Sequence, residues 1–171
     1  MDRAPDGPPS SERPAAADLR ELGLFGGLGD DALQLFADRL RRIKLAQGDI
    51  VYREGDDARE LYVVLRGEIE LRKHVSPDAD VQIATVRSGF SFGEICILDV
   101  QRRATTARAL VPSRLLVVTV RDLDSLYRQD LKAYTMFILN VARDLCRRLR
   151  LASARIAELA APMPKEDESR A

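Results

Sequence analysis

The sequence predicts a mainly β domain with flanking helices, in which an antiparallel barrel or jelly roll is followed by a long C-terminal helix. Two observations support this prediction. Short apolar runs between residues 42 and 118 are separated by glycine-containing turns, a pattern typical of antiparallel strands. From Leu131 onward, apolar residues recur at helical spacing instead, and charged residues occupy the other faces.

The strands are predicted from the period of the apolar residues. Ile43 and Leu45 alternate with basic residues, as in a half-buried strand, whereas the apolar run at 61–65 is continuous, as in a strand buried on both faces. The predicted strands are 42–45, 50–52, 61–65, 68–72, 81–86 and 115–118. A hairpin turn is predicted at 76–78, where Pro77 ends the alternation.

Helices are predicted on both sides of the strands. An apolar lead-in at 19–25 is helical or irregular, and Asp30 and Asp31 mark the start of the next helix. The apolar residues of that helix follow at helical spacing: Leu33, Phe36 and Leu40. After the last strand, a short helix is predicted at 122–127. The chain is thus divided into a disordered, proline-rich arm at 1–17, a folded unit at 18–130, a long helix at 131–161 and a polar tail at 162–171.

The residues that indicate a binding site lie between 92 and 106. Gly93 permits a tight turn and a close approach of a ligand to the backbone. Glu94 begins a predicted helical turn, where its carboxylate can accept hydrogen bonds from hydroxyl groups, and Arg103 offers a planar set of donors suited to phosphate. Ala104 and Thr105 are small and leave their backbone N–H groups accessible to an anion. Together these residues predict a pocket for a sugar phosphate.

Glu94 and Arg103 alone are compatible with a surface loop and a short helix, which is the simpler interpretation of two charged residues. The order of the whole motif is more specific. Phe-Gly-Glu at 92–94, a short apolar turn and Arg-Ala-x-Thr at 103–106 resemble the phosphate-binding cassette of the cyclic nucleotide-binding domain family. The upstream sequences Gly-Asp-Ile, Glu-Gly-Asp and Leu-Tyr-Val-Val-Leu-Arg-Gly-Glu also resemble that family, so the resemblance extends over about residues 24–160.

This resemblance implies an antiparallel β-roll that binds cAMP or cGMP, with Glu94 on the ribose 2′-hydroxyl and Arg103 on the cyclic phosphate. Relatives that favour cGMP often carry Thr directly after the phosphate-binding arginine. Ala104 stands at that position here, so the resemblance favours cAMP. Arg148 stands near the position at which bacterial members of the family contact adenine with a Thr-Ser pair, so we expect it to stack on the base instead. The predicted ligand-contacting residues are Gly93, Glu94, Ile95, Arg103, Ala104, Thr105 and Arg148.

The long helix carries a heptad seam three repeats long, in which apolar residues step by four and three. The seam consists of Ile138, Ala142, Leu145, Leu149, Ala152, Ile156 and Leu159. A helix that packs only on its own barrel can use such a stripe. The seam is narrow, however, because arginines occupy the other faces, and the family's bacterial regulators dimerise through this helix. We therefore predict a homodimer through 138–159.

These observations predict a cyclic nucleotide receptor or regulatory module that couples ligand binding to the C-terminal helix and to an unidentified effector protein. The alternative is a constitutive interaction or dimerisation module that keeps the fold and binds no nucleotide. No enzyme, catalytic residue, cofactor or metal site is predicted, because neither a nucleophile–base pair nor a metal cluster accompanies Arg103.

The composition excludes several other classes of function. Lys plus Arg and Asp plus Glu both number 27, so no net positive charge favours nucleic acid, and the polar tail is too short for a DNA-binding domain. No apolar run has the length of a membrane span or the form of a signal peptide. We therefore predict a cytoplasmic protein with no direct contact to DNA or to a membrane.

Overall fold

The computed structural model describes residues 13–76, 79–99 and 101–160. In this part of the chain, eight strands form two sheets flanked by five α-helices, which confirms the predicted mainly β roll with a long C-terminal helix. The strands are β1 (Arg41–Leu45), β2 (Ile50–Tyr52), β3 (Glu60–Arg66), β4 (Glu68–Ser76), β5 (Ala79–Arg87), β6 (Ser91–Phe92), β7 (Thr106–Ala109) and β8 (Ser113–Thr119). The helices are α1 (Ala16–Arg20), α2 (Asp30–Arg39), α3 (Ile95–Leu98), α4 (Val120–Gln129) and α5 (Leu131–Ala160), with a 3-10 turn at Gly23–Phe25.

The two sheets contain four strands each, and all strand pairings in the described residues are antiparallel. The first sheet has the order β1-β8-β3-β6, and the second has the order β2-β7-β4-β5. β6 therefore belongs to the first sheet and β7 to the second. The connection between them, residues 93–105, crosses from one sheet to the other and contains α3.

The two central strands of the first sheet, β3 and β8, are buried on both faces. Leu61 and Val63 of β3 pack against the helices, whereas Tyr62 and Val64 pack against the second sheet. Residues of β8 alternate between the same two cores: Leu115 and Val117 lie between the sheets, and Leu116 and Val118 lie under the helices. The continuous apolar run in β3 is thus explained by two cores on opposite sides of one strand.

Three phenylalanines hold the helices on the first sheet. The ring of Phe25 lies 5.2 Å from that of Phe36 and 5.6 Å from that of Phe137, centroid to centroid. Asn140 of α5 adds two hydrogen bonds from its side-chain amide, to the carbonyl oxygens of Leu24 at 3.1 Å and Gly26 at 2.8 Å. These contacts fix the first half of α5 relative to the roll.

The sequence analysis missed two strands, β6 and β7. β6 has only two residues, too few to show an alternation. β7 has the sequence Thr-Ala-Arg-Ala, in which Ala107 and Ala109 are buried. Alanine is depleted in strands and is only weakly apolar, so its alternation with Arg108 did not stand out as a strand.

Parts of several predictions fall outside the described residues: 1–12 of the predicted arm, 77–78 of the predicted hairpin turn, and the tail at 162–171. Within the described part, α1 begins at Ala16 and α5 extends to Ala160. The division of the chain into four segments stays a prediction. None of the described helices combines the length and the hydropathy needed to cross a bilayer.

Candidate functional site

The fold brings the two halves of the predicted cassette together. Gly93 and Glu94 follow β6 directly, and Arg103 lies three residues before β7. Because these strands belong to different sheets that pack face to face, the two segments meet at one end of the roll. The contact is direct: Nη1 of Arg103 donates a hydrogen bond to the carbonyl oxygen of Gly93 at 3.2 Å.

Gly93 makes this contact possible in two ways. Its φ angle is +76°, in the left-handed region that favours glycine. A Cβ atom at this position would lie 2.6 Å from Nη1 of Arg103, which is shorter than any van der Waals contact. The guanidinium group therefore occupies the space that a side chain at residue 93 would need.

Arg103 is a buried cation, with only 6% of its surface exposed. Its Cζ atom lies 4.1 Å from the centre of the Tyr52 ring and 5.6 Å from that of Tyr62. Nε is buried and has no hydrogen-bond acceptor among the described residues. Among the residues that the structure describes, no carboxylate forms an ion pair with this guanidinium. Its charge is stabilised in part by the aromatic faces, by the carbonyl oxygen of Gly93 and, at longer range, by the carboxylate of Glu94.

The backbone around Arg103 is held by the turn after β2. The Arg103 N–H donates to the carbonyl oxygen of Asp56 at 2.9 Å, and the Gly55 N–H donates to the carbonyl oxygen of Arg103 at 2.9 Å. The side chain of Arg102 also donates to the carbonyl oxygen of Gly55 at 2.9 Å. These bonds leave Arg103 little freedom to change its direction.

Glu94 is buried beside α3, with 5% of its surface exposed. Its Oε1 accepts a hydrogen bond from Nη1 of Arg148 at 2.8 Å, whereas Oε2 is buried and has no donor in the part of the chain that the structure describes. Burial raises the pKa of the Glu94 carboxyl, and the positive charge of Arg148 opposes this shift. The carboxylate can therefore accept one further hydrogen bond from a group that enters the site.

Arg148 extends from α5 to the cassette. Besides its bond to Glu94, its Nη2 donates to the carbonyl oxygen of Ser91 and lies 2.5 Å from Oδ2 of Asp144, one helical turn earlier. The structure thus places Arg148 against the carboxylate of the site. The expected stacking of Arg148 on a purine stays a prediction.

The remaining predicted residues surround this pair. Ile95 is 46% exposed at the start of α3, Ala104 is exposed and Thr105 is half-buried. Within the described chain, the backbone N–H groups of Ala104 and Thr105 donate no hydrogen bond. The carbonyl oxygen of Ala104 accepts one from Nζ of Lys73 at 3.1 Å. Two amide donors beside Arg103 are therefore available to an anion.

Sequence analysis did not find Tyr52 and Tyr62 as parts of the site. Both were assigned correctly to strands, and their inward positions could have been inferred from the alternation in β2 and β3. Their contact with Arg103 could not have been inferred, because it depends on the packing of one sheet against the other.

Comparison with known proteins identifies the family. The family model for the cyclic nucleotide-binding domain matches residues 42–130. The chain is 31% identical over 130 residues to the Cyclic AMP receptor protein of Thermus thermophilus, covering 75% of this chain and 58% of that one. It spans 16% to 41% of the lengths of three further relatives, which include a channel subunit and an acetyltransferase.

Solved structures agree with this match. The N-terminal domain of a transcriptional regulator from Streptomyces coelicolor superposes with a TM-score of 0.66 at 30% identity, covering 77% of this chain and 94% of that one. A cyclic nucleotide-binding domain from Methylobacillus flagellatus has the same fold, with a TM-score of 0.76 at 20% identity over 87% of this chain and 84% of that one. The β-roll, the cassette between its sheets and the family model lead to one conclusion: this chain belongs to the cyclic nucleotide-binding domain family.

Proposed function

We propose that this chain is a receptor for a cyclic nucleotide and that binding is coupled to α5 and to a partner protein. One observation carries the proposal: two buried groups on one loop are incompletely satisfied. Arg103 faces no carboxylate in the described chain, and Glu94 keeps one oxygen without a donor. A cyclic nucleotide supplies both partners, because its phosphate carries a negative charge and its ribose carries a 2′-hydroxyl.

The energetics of burial support this proposal. Transfer of a charged group from water to a protein interior costs several kcal/mol unless ion pairs and hydrogen bonds compensate. In the ligand-free protein, Arg103 is compensated only in part. A ligand that brings an anion to Arg103 recovers this cost on binding. The N–H groups of Ala104 and Thr105, which have no acceptor within 13–76, 79–99 and 101–160, add hydrogen bonds to the same anion.

cAMP is the proposed ligand rather than cGMP. Ala104 directly after Arg103 lacks the hydroxyl group expected of a cGMP-favouring cassette. The relative from Thermus thermophilus is a cyclic AMP receptor protein by name. Ile95 and Arg148 complete the proposed contacts, with Ile95 against the sugar and Arg148 beside the base. The cytoplasmic location and the absence of direct DNA binding stay predictions.

Coupling to α5 would run through Glu94. A ribose hydroxyl that donates to Oε2 stabilises the ionised carboxylate, and the ionised carboxylate attracts Arg148 at Oε1. Ligand binding would therefore strengthen the contact of α5 with Glu94, and that contact would strengthen ligand binding. Since such coupling is reciprocal, a change that weakens the contact of Arg148 must also weaken ligand binding.

Isothermal titration calorimetry with cAMP and cGMP tests the proposal. We expect saturable binding with one site per chain and a lower Kd for cAMP. Arg148→Met is expected to weaken binding roughly three- to tenfold, as the loss of one partly exposed charge-assisted contact. The absence of heat with either nucleotide at millimolar concentration, together with partner binding that ignores nucleotide, would support a constitutive interaction module instead.

We also propose a homodimer through the heptad seam of α5. Ile138 and Leu145 already pack against the chain's own helical core. The later seam residues are uncovered: Leu149 is 68% exposed, Ile156 65% and Leu159 86%. A second copy of α5 would bury them, and the proposed contact therefore lies in the last three turns of the helix.

Analytical ultracentrifugation tests the dimer. The chain is expected to sediment at twice its 19.1 kDa mass. Ile156→Glu places a charge in the seam and should shift the equilibrium to the monomer, whereas Ala154→Glu, an exposed substitution outside the seam, should not. A monomer at all concentrations for the unmodified chain would contradict the proposal.

A further inference from the structure

An aromatic cluster lies beneath the guanidinium of Arg103. The Tyr52 ring is 4.1 Å from Cζ of Arg103, and the Tyr62 ring lies 5.6 Å away. Tyr62 stacks on Phe92 with centroids 5.2 Å apart, and Tyr52 lies 6.0 Å from both rings. The three residues are at least 92% buried, so water has little access to their rings. We call Tyr52, Tyr62 and Phe92 the aromatic platform of Arg103.

An aromatic platform supports a cation in a way that a carboxylate cannot. The ring face attracts the positive charge through its quadrupole and occupies none of the five N–H donors, which lie in the guanidinium plane. A carboxylate in the same place would accept two of these donors and neutralise the charge. Here Gly93 is the acceptor for Nη1, and Nε remains without one.

The platform is fixed before any ligand arrives. Tyr52 ends β2 and pairs with Ala107 of β7, the strand that follows the cassette. The hydroxyl of Tyr62 donates to Glu60 Oε2 at 2.6 Å, which holds the second ring in place. The orientation of the Tyr52 ring is thus fixed by the pairing of β2 with β7, the strand that follows Arg103 in the chain.

We propose that Tyr52 is a positioning residue that holds the guanidinium of Arg103 in place, so that its in-plane N–H groups are available to a phosphate diester. This inference rests on the proposed function, because the ligand is the anion that Arg103 would bind. Tyr52 acts through Arg103 and does not itself contact the ligand. The ring face, rather than the tyrosine hydroxyl, is the part that matters.

Two substitutions separate the ring from the hydroxyl. Tyr52→Phe keeps the aromatic face and is expected to change the Kd for cAMP less than threefold. Tyr52→Leu keeps an apolar side chain but removes the ring, and it is expected to raise the Kd by roughly 5- to 30-fold, the range of a desolvated cation–π contact. Leu115→Ala, in the core between the same two sheets, controls for general loss of stability: it should lower the melting temperature and leave the Kd within threefold.

A ligand-free measurement gives an independent readout. In NMR spectra of the unmodified chain, the Nε–H resonance of Arg103, identified by its loss in Arg103→Gln, should lie upfield of those of exposed arginines because of the Tyr52 ring current. This resonance should keep its upfield position in Tyr52→Phe and Leu115→Ala. In Tyr52→Leu it should move to the chemical shifts of exposed arginines.

The outcomes distinguish the two proposals. If the unmodified chain binds cAMP but Tyr52→Leu binds it equally well, the positioning role is overturned and the receptor function stands. If the unmodified chain does not bind cAMP at all, the receptor function fails and the positioning role fails with it. If the Arg103 Nε–H resonance keeps its chemical shift in Tyr52→Leu, the proposed contact between Arg103 and the Tyr52 ring is overturned, whatever the affinity for cAMP.

Discussion

Replacing Arg103 with methionine is expected to remove cyclic nucleotide binding while making the ligand-free protein more stable. The bound phosphate would lose its charged partner, which weakens binding by roughly 100- to 1,000-fold, or about 3–4 kcal/mol. The folded protein would at the same time lose a buried cation that has no carboxylate partner in the described residues. Exchange of a buried ion pair for apolar side chains of similar volume is often neutral or stabilising, by up to about 4 kcal/mol. We expect a gain at the lower end of that range here, because the contacts of Arg103 with the Tyr52 and Tyr62 rings are lost in the exchange.

Calorimetry with cAMP and urea unfolding of the ligand-free protein measure the two effects. Arg102→Met is the matched control, because Arg102 is exposed and binds only the Gly55 carbonyl among the described residues. It should leave both quantities nearly unchanged. A Kd for Arg103→Met within threefold of the unmodified value would contradict the assignment of Arg103 to the phosphate.

Gly93→Ala is expected to damage both stability and binding. A residue with a side chain at φ +76° adopts the left-handed region at a cost of about 1–2 kcal/mol. The added Cβ would also lie 2.6 Å from Nη1 of Arg103 and push the guanidinium from its position. Because the phosphate contacts depend on that position, we expect the affinity for cAMP to fall by at least about tenfold.

Gly89→Ala separates the two effects. Gly89 has a similar φ angle of +88°, but a Cβ there would meet no atom within 4 Å. Both variants should therefore lose similar stability in urea unfolding, and only Gly93→Ala should bind cAMP more weakly. Equal affinities for the two variants would show that the contact between residue 93 and Arg103 has no part in binding.

The sequence predicted the strands wherever large apolar residues alternate or run together. β3 and β8 were found because both of their faces are buried by Leu, Val and Tyr. β7 was missed because its buried residues, Ala107 and Ala109, are too small to give a clear alternation. Both alanines lie in the core between the two sheets. That position follows from the pairing of β7 with β2 and β4, which are distant in the sequence.

The site was predicted as far as it is local in sequence. Gly93, Glu94 and Arg103 lie within eleven residues, and their types and order indicated the cassette. The partner of Glu94 is 54 residues away, on a different helix. No local pattern links Arg148 to Glu94 or Tyr52 to Arg103, because both contacts depend on the packing of distant elements against the roll. Sequence therefore indicated Arg148 as a site residue but not its contact with Glu94, and it did not indicate Tyr52 or Tyr62 at all.

The anchoring of α5 has a mechanical consequence. The helix is fixed in its first half by Phe137 and Asn140 and reaches the cassette at Arg148, and all residues from 151 to 160 are exposed. The twelve residues beyond Arg148 form a rod of about 18 Å. Arg148 lies about 12 Å along the helix from Asn140, and Ala160 lies about 30 Å from Asn140, so a shift of about 1 Å at Arg148 would displace the end of the helix by roughly 2.5 Å. A small adjustment of the contact between Glu94 and Arg148 would thereby be amplified at the end of α5, where two copies would meet in the proposed dimer.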